Sequence, residues 1–118
     1  MNDPCPELRA RIRTLQVQRR SVESKLLQPQ SMRPGSMVER YLGVRGAVRT
    51  RPAYYVSRSL QGRSKLAYVK KEELAIVQQQ CAAYRAFQEN LRIWRQLTAS
   101  LEQSWKPLQQ AQSGQNIF

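Results

Sequence analysis

The stretch PAYYVSRSLQGRSKLAYV, residues 52 to 69, constrains the fold of this chain more than any other segment. Alternating side chains on both sides of Gln61-Gly62 are typical of a β-hairpin with a two-residue turn. The cross-strand pairs predicted on one face are Tyr54–Val69, Val56–Ala67 and Arg58–Lys65, and those on the other face are Tyr55–Tyr68 and Ser57–Leu66. Both faces carry an aromatic residue, so the pattern leaves open which face is buried.

The segment before the hairpin predicts one more strand. SMVERYLGV is rich in Val, Tyr and Leu, and the basic loop RGAVRTRP with its Gly and Pro separates it from the hairpin. We expect three strands, at about residues 36 to 42, 53 to 59 and 64 to 70, in an antiparallel meander.

Helical periodicity surrounds this segment on both sides. From Leu8 to Leu26 a seam recurs in steps of three and four and is apolar except at Arg19, which predicts a helix over residues 4 to 28 with Asp3 as its cap. The same period returns from Lys71 to Lys106 and predicts a second helix of about 54 Å at 1.5 Å per residue. Pro107 is expected to end this helix, because proline is unfavourable inside one.

These elements predict an α+β fold with an N-terminal helix, a three-stranded antiparallel sheet and a long C-terminal helix. The two helices are expected to pair as a coiled-coil-like stalk, within one domain over residues 1 to 106. Residues 107 to 118 are Gln-rich and are expected to be disordered. The apolar stripe of the second helix has two interpretations, as the core of the helix pair or as an interface with a partner or second subunit. The residues assigned to such an interface are Leu91, Trp94, Leu101 and Trp105.

The charge of the chain favours an anionic partner. Twenty Lys and Arg residues against eight Asp and Glu residues give a net charge of +12, with a pI near 10.7. Ten of the basic residues lie between Arg33 and Lys71, where Glu39 is the single acid. Such clusters suit phosphate binding, and arginine also forms bidentate contacts with base edges.

The predicted nucleic-acid-binding residues divide by position. Arginines in the loop are expected to hold phosphates, basic residues near the hairpin tip to enter a groove, and tyrosines to stack on unpaired bases as an alternative. The full set is Arg40, Arg45, Arg49, Arg51, Tyr55, Arg58, Arg63, Lys65, Lys70 and Lys71. A solvated basic face, an acidic protein partner and an anionic membrane surface are the other interpretations of the same cluster.

The residue inventory disfavours catalysis and metal binding. The chain has no histidine, its eight acids form no evident acid–base pair, and two cysteines alone cannot complete a four-ligand zinc site. We therefore expect no enzymatic activity and no cofactor. No apolar run approaches about 20 residues, and the N-terminus lacks the apolar region of a signal peptide, so we expect a cytoplasmic, nucleoid-associated protein.

Three segments, SMVERYLG, PAYYVSRSLQGRSKLAYVKKEEL and YRAFQENL, resemble an uncharacterised family of small domains associated with bacterial and archaeal transposable elements. The resemblance covers residues 36 to 95 and rests on the order and spacing of VERY, YY-S-x-x-x-x-G, YV-x-KEEL and Y-R-x-F. It implies a setting in transposition or its regulation and no activity. Where the family has a cysteine-bearing loop, this chain has GVRGAVRTR, so no metal is implied. Element order alone is also similar to the arm-binding domains of phage-type integrases, which read DNA with a sheet.

Together these observations predict a non-catalytic nucleic-acid-binding protein, with DNA favoured over RNA, that acts as an accessory or regulator of transposition. The sheet and its loops would contact DNA, and the helices would contact a transposase, a recombinase or a second copy. The alternative is an assembly or adaptor subunit of a larger protein or ribonucleoprotein complex, binding RNA or an acidic partner.

Overall fold

The computed structural model describes residues 5–42 and 48–113, with side chains described at 5–41 and 51–113. Its elements are helix α1 (Pro6–Leu26), strands β1 (Ser36–Leu42), β2 (Val48–Leu60) and β3 (Arg63–Val69), one 3-10 turn (Lys71–Glu73) and helix α2 (Leu74–Ser113). The strands form one antiparallel sheet in the order β1-β2-β3. The predicted α+β fold with this order of elements is confirmed.

The β2–β3 hairpin has the predicted register. Tyr54 pairs with Val69 and Tyr55 with Tyr68, and the remaining pairs follow without a shift to Leu60 and Arg63. The turn residues Gln61 and Gly62 have φ angles of 52° and 78°. Two successive positive φ values characterise the type I′ turn, whose twist matches that of the strands it joins.

Strand β2 begins at residue 48, earlier than the predicted residue 53, and it includes Pro52. A proline removes one ladder hydrogen bond and is therefore tolerated mainly at edges and bulges. Pro52 lies beyond the last described pair with β3 and within the register shift between β1 and β2, where residues 49–52 of β2 stand opposite Tyr41 alone. At that position its missing N–H interrupts little of the ladder, so the strand continues through it.

Internal contacts divide the chain into two compact units. The helix unit comprises Met1–Gln28 and Phe87–Phe118, and the sheet unit comprises Pro29–Ala86. The predicted domain over residues 1 to 106 is thus subdivided, and α2 contributes residues to both units.

The helix unit is held by apolar contacts between α1 and the C-terminal part of α2. Ile12, Leu101 and Leu108 are buried together, and Leu8 and Leu15 pack against them. Arg9 of α1 donates a hydrogen bond to Gln112 near the end of α2. Farther along α1, the Trp94 indole N–H donates to Glu23 at 3.0 Å. Residues farther along α1 contact residues earlier in α2, so the two helices run antiparallel. Coiled-coil geometry stays a prediction.

Helix α2 does not end at Pro107, and this prediction is wrong. The helix continues to Ser113, so residues 107 to 113 of the expected disordered tail are helical, and residues 114 to 118 lie outside the described part of the chain. Proline inside a helix costs about 3 kcal/mol relative to alanine. Leu108, the next residue, is only 7% exposed in the core with Ile12 and Leu101. Burial of this side chain offsets the proline and keeps the last turns helical.

The sheet unit has a separate small core. Val56 of β2 and Val69 of β3 pack against Val77 and Cys81 of α2. Met37, Tyr54 and Leu74 surround these four buried residues. One face of the sheet is thus covered by the N-terminal part of α2.

The connection from α1 to β1 is fixed to α2 by a small polar network. The Arg33 backbone N–H donates to the Gln80 carbonyl at 3.1 Å, and the Arg33 Nε donates to Gln80 Oε1 at 3.2 Å. Gln80 Nε2 in turn donates to Ser31 Oγ at 2.8 Å. Gly35 follows with a φ of 127°, a conformation that side-chain-bearing residues rarely adopt. These contacts set the position from which β1 begins.

Among the described residues, no helix combines the length and the apolar character that crossing a bilayer requires.

Candidate nucleic-acid interface

The two faces of the sheet differ in what covers them. The covered face, which packs on α2, carries Met37, Tyr54, Val56, Ala67 and Val69. The open face carries the alternating residues Val38, Arg40, Ala53, Tyr55, Ser57, Ser59, Ser64, Leu66 and Tyr68, of which Ala53 is buried. Because Val56 and Val69 are buried whereas Leu66 and Tyr68 are exposed, the face of Tyr54 is the buried one. The structure thereby decides between the two faces that the sequence left open.

An aromatic pair occupies the centre of the open face. Tyr55 and Tyr68 are cross-strand partners, with ring centroids 5.7 Å apart and ring planes at 70°. This edge-to-face arrangement is a favourable geometry for two aromatic rings. Tyr55 is half-buried, whereas 65% of Tyr68 is exposed to solvent. Tyr68 therefore presents a ring surface that its own chain leaves largely uncovered.

Positive charge lies beside this aromatic pair. Arg40 is an exposed residue of the open face, at its end away from the hairpin tip. Arg51 is also exposed and lines a cavity together with Tyr68 at the same end of the sheet. Val38 of β1 is the cross-strand partner of Tyr55, and Arg40 is the next residue of β1 on the same face. Such successive positions are about 7 Å apart along a strand. By sequence, Glu39 is the one acidic residue of the three strands. The alternation of β1 assigns Glu39 to the covered side, so the open face is basic and aromatic without a strand carboxylate.

Glu39 lies between two tyrosines at the rim of the covered face. Its carboxylate accepts a hydrogen bond from the Tyr41 hydroxyl at 3.4 Å, and it lies opposite Tyr54 in the register. Partial burial raises the pKa of the Tyr54 phenol, and the negative charge of Glu39 raises it further. A hydrogen bond between the phenol and the Glu39 carboxylate acts in the same direction. Tyr54 is half-buried at this position, whereas Tyr68 on the other face is accessible.

The basic residues near the hairpin tip form a second group. Arg58 and Lys65 are cross-strand partners, and Arg63 pairs with Leu60 on the same side of the sheet. All three are exposed. Arg58 and Lys65 line a shallow cavity of about 290 Å³ together with Arg33 and Pro34. The predicted tip cluster is thus brought together, but on the opposite side of the sheet from Arg40 and Tyr55.

The remaining predicted residues have different outcomes. Lys70 and Lys71 are exposed in the connection from β3 to α2. Arg45 lies outside the described residues, and Arg49 belongs to β2 by its backbone but its side chain is not described. Of the three loop arginines, Arg51 alone has a described side chain, and phosphate binding by them stays a prediction.

A cavity of about 390 Å³, which we call the end cavity, lies where β3 ends and the chain turns into α2. It is lined by Arg51, Pro52, Ala53, Tyr54, Tyr68, Val69, Lys71 and Leu74. The cavity exists because β2 extends past Val69, the last described residue of β3 that pairs with it. Sequence reasoning missed this cavity, since it required knowing that β2 continues through Pro52.

The four residues assigned to a partner interface differ in how far the structure buries them. Leu101 is only 3% exposed within the helix-unit core, so its assignment to an interface with another protein is wrong. Trp94 is half-buried and bonded to Glu23, and Leu91 is also half-buried. Trp105 remains 46% exposed on the last part of α2. The core interpretation holds for Leu101, and an exposed aromatic surface is left at Trp105.

No family model, no curated protein and no solved structure matches this chain.

Proposed function

We propose that this chain is a non-catalytic nucleic-acid-binding protein and that the sheet unit is the part that binds. The observation that carries the proposal is the open face, which presents Arg40 and the exposed Tyr68 without a strand carboxylate, while Arg51 lines a cavity with Tyr68. Basic side chains release condensed counterions when they neutralise phosphates, and aromatic rings stack on bases. A face that combines both groups suits a polyanion that carries bases.

The distribution of charge supports the same assignment. The sheet unit contains eleven basic and three acidic residues, for a net charge of +8. The helix unit contains nine basic and five acidic residues, for a net charge of +4. A positive field around the sheet unit would accelerate encounters with nucleic acid.

We infer the biological setting from the resemblance of residues 36 to 95 to domains of transposable elements. Similarity to domains associated with transposable elements supports a role as an accessory or regulator of transposition, acting on DNA. The exposed Trp105 in the helix unit supports a protein partner, for which a transposase, a recombinase or a second copy are the candidates. The alternative function, an assembly subunit that meets RNA or an acidic protein, would use the same basic face.

Equilibrium binding measured by fluorescence anisotropy tests this proposal. Labelled duplex DNA, single-stranded DNA and RNA would be titrated with the chain at about 50 and 200 mM salt. We expect binding that weakens steeply as salt rises. Replacement of both Arg40 and Arg51 by alanine should lower the affinity and flatten the logarithmic salt dependence by about 1.4 to 1.8 for two lost phosphate contacts.

A charge-matched control separates a specific surface from net charge. Arg11 and Arg20 are exposed on α1, and their double alanine variant loses the same two charges from the helix unit. We expect this control to bind more tightly than the Arg40 and Arg51 variant. Equal losses in the two variants would indicate attraction by net charge alone. Failure of the unaltered chain to bind any of the three nucleic acids at low salt would contradict the proposal.

A further inference from the structure

We infer that the end cavity holds an unpaired base, so that the preferred ligand is a single-stranded segment of nucleic acid. This inference rests on the proposed function and specifies its ligand. The cavity volume, about 390 Å³, lies within the range of about 300–1,000 Å³ that is common for small-molecule sites. The wall chemistry, the charges and the adjoining tyrosine pair each point to the same occupant.

The walls of the cavity suit a flat aromatic ring. Ala53, Val69 and Leu74 contribute apolar surface, and the Tyr54 and Tyr68 side chains also line the cavity. Stacking of a base on an aromatic side chain contributes about 1–3 kcal/mol and tolerates any base. An unpaired base would therefore gain both apolar burial and ring contact in this cavity.

The edge of β2 supplies polar groups for the same ligand. No described strand pairs with residues 51 to 53 on the β3 side, because the register with β3 ends at Tyr54 and Val69. Main-chain groups at an unpaired edge are available as hydrogen-bond donors and acceptors. An unpaired base exposes its own donors and acceptors, which a base within a duplex uses for pairing.

The charges at the cavity indicate how the strand would lie. Arg51 and Lys71 both line the cavity, and both are exposed. Glu72 and Glu73 follow Lys71 in the first turn towards α2 and are also exposed. Because these carboxylates repel phosphates, we place the backbone of the strand on the Arg51 side of the cavity.

The tyrosine pair of the open face extends the site by one position. Tyr68 lines the cavity and also contacts Tyr55 edge to face. A base in the cavity and its neighbour on the open face would thus be adjacent to the same ring. Bases in a duplex are paired and stacked, so this arrangement requires a single strand or an extruded nucleotide.

Substitution of Tyr68 tests the inference on the full chain. Tyr68 is exposed, so Tyr68→Ala should fold, and circular dichroism would check this. We expect Tyr68→Ala to weaken binding of a labelled single-stranded oligothymidine about 5- to 150-fold, the equivalent of one lost stacking contact. Tyr68→Phe keeps the ring and should retain affinity. Tyr41→Ala removes another exposed tyrosine that does not line the cavity and should bind as the unaltered chain does.

Ligand form and the position of contact complete the experiment. We expect single-stranded oligothymidine or oligouridine to bind more tightly than a duplex of equal length. Comparing the affinities of the two oligonucleotides shows whether DNA or RNA is preferred. Photocrosslinking of a strand containing 5-iodouracil should label Tyr68 or Tyr54, as identified by mass spectrometry.

Equal or tighter binding of the duplex, with no effect of Tyr68→Ala, would overturn this inference and leave nucleic-acid binding by the sheet unit intact. A loss of affinity in Tyr41→Ala equal to that in Tyr68→Ala would also overturn the cavity as the site. Absence of binding to every nucleic acid would overturn both proposals.

Discussion

The sheet unit and the helix unit bury apolar residues in different ways, and the difference determines what each leaves exposed. In the helix unit, the stripes of two helices meet, so Ile12, Leu101 and Leu108 are covered from both sides. In the sheet unit, α2 covers one face, and on the other face Tyr55 is half-buried and Tyr68 is exposed to solvent. The larger share of the positive charge belongs to this second unit.

The larger positive charge and the exposed Tyr68 belong to the same unit, which is the one proposed to bind nucleic acid. Two helices bury the apolar stripes of each other, whereas a single helix covers only one of the two faces of a three-stranded sheet. Because exposed aromatic side chains are costly in solution, an open aromatic face with basic neighbours favours a binding role. The following experiments test whether the two units differ in stability as they differ in packing.

The largest effect should come from the helix-unit core. Leu101→Ala should lower the free energy of unfolding by about 2–5 kcal/mol, because it removes a buried side chain and leaves a cavity. Denaturant unfolding would measure the loss, and hydrogen exchange would locate it. We expect faster exchange in α1 and residues 87 to 113 than in the strands. An equal increase in the strands would show that the two units unfold together.

The sheet unit should respond most strongly at Gly35. A Cβ at this position would lie 2.6 Å from Val56 Cγ1 and 2.8 Å from the Ser57 carbonyl oxygen, at a φ of 127°. We expect Gly35→Ala to cost about 3 kcal/mol from strain and overpacking, measured by thermal or denaturant unfolding. Gly62→Ala is the matched control, since φ is also positive but the space is open, and about 1 kcal/mol is expected. Equal costs would contradict the close packing of Gly35 on β2.

Pro107 offers a stabilising change in the helix unit. Pro107→Ala should raise the free energy of unfolding by about 1–3 kcal/mol, because alanine restores the missing N–H and removes the clash with the preceding turn. The change would be measured by thermal unfolding. Since Leu108 stays buried, we expect no loss of helical signal at 222 nm. A destabilised variant would show that the helix requires proline at this position.

The smallest of these effects concerns the Trp94–Glu23 hydrogen bond. Glu23→Gln replaces the charged acceptor with a neutral one and should cost about 1 kcal/mol. Tryptophan fluorescence during unfolding would report it. Glu102→Gln on the exposed side of α2 serves as the control and should change stability by less than about 0.5 kcal/mol. If both substitutions cost the same, the indole bond contributes nothing to the helix unit.

The sequence predicted the register of the hairpin because local rules determine it. A two-residue turn at Gln61-Gly62 sets every cross-strand pair, and those pairs are the ones observed. The buried face could not be predicted, because Tyr54 and Tyr55 occupy opposite faces with similar composition around them. Its burial depends on contacts with Val77 and Cys81, which are distant in sequence.

The end of α2 and the end cavity could not be predicted for a related reason. Proline is unfavourable inside a helix, so the local sequence predicts that α2 ends at Pro107. The packing of Leu108 against α1 accounts for the continued helix. The cavity depends on β2 passing Pro52 and on the chain turning at Lys71. Both features result from tertiary packing that overrides a local preference.

The central claim is that nucleic acid binds to the open face and the end cavity of the sheet unit. The most direct test is a titration of the isotope-labelled chain with single-stranded oligothymidine, followed by backbone amide NMR shifts. The account predicts the largest shifts in β2, β3 and residues 70 to 74, with small shifts in α1. Shifts confined to α1 and residues 87 to 113, or none at a saturating oligonucleotide concentration, would contradict it.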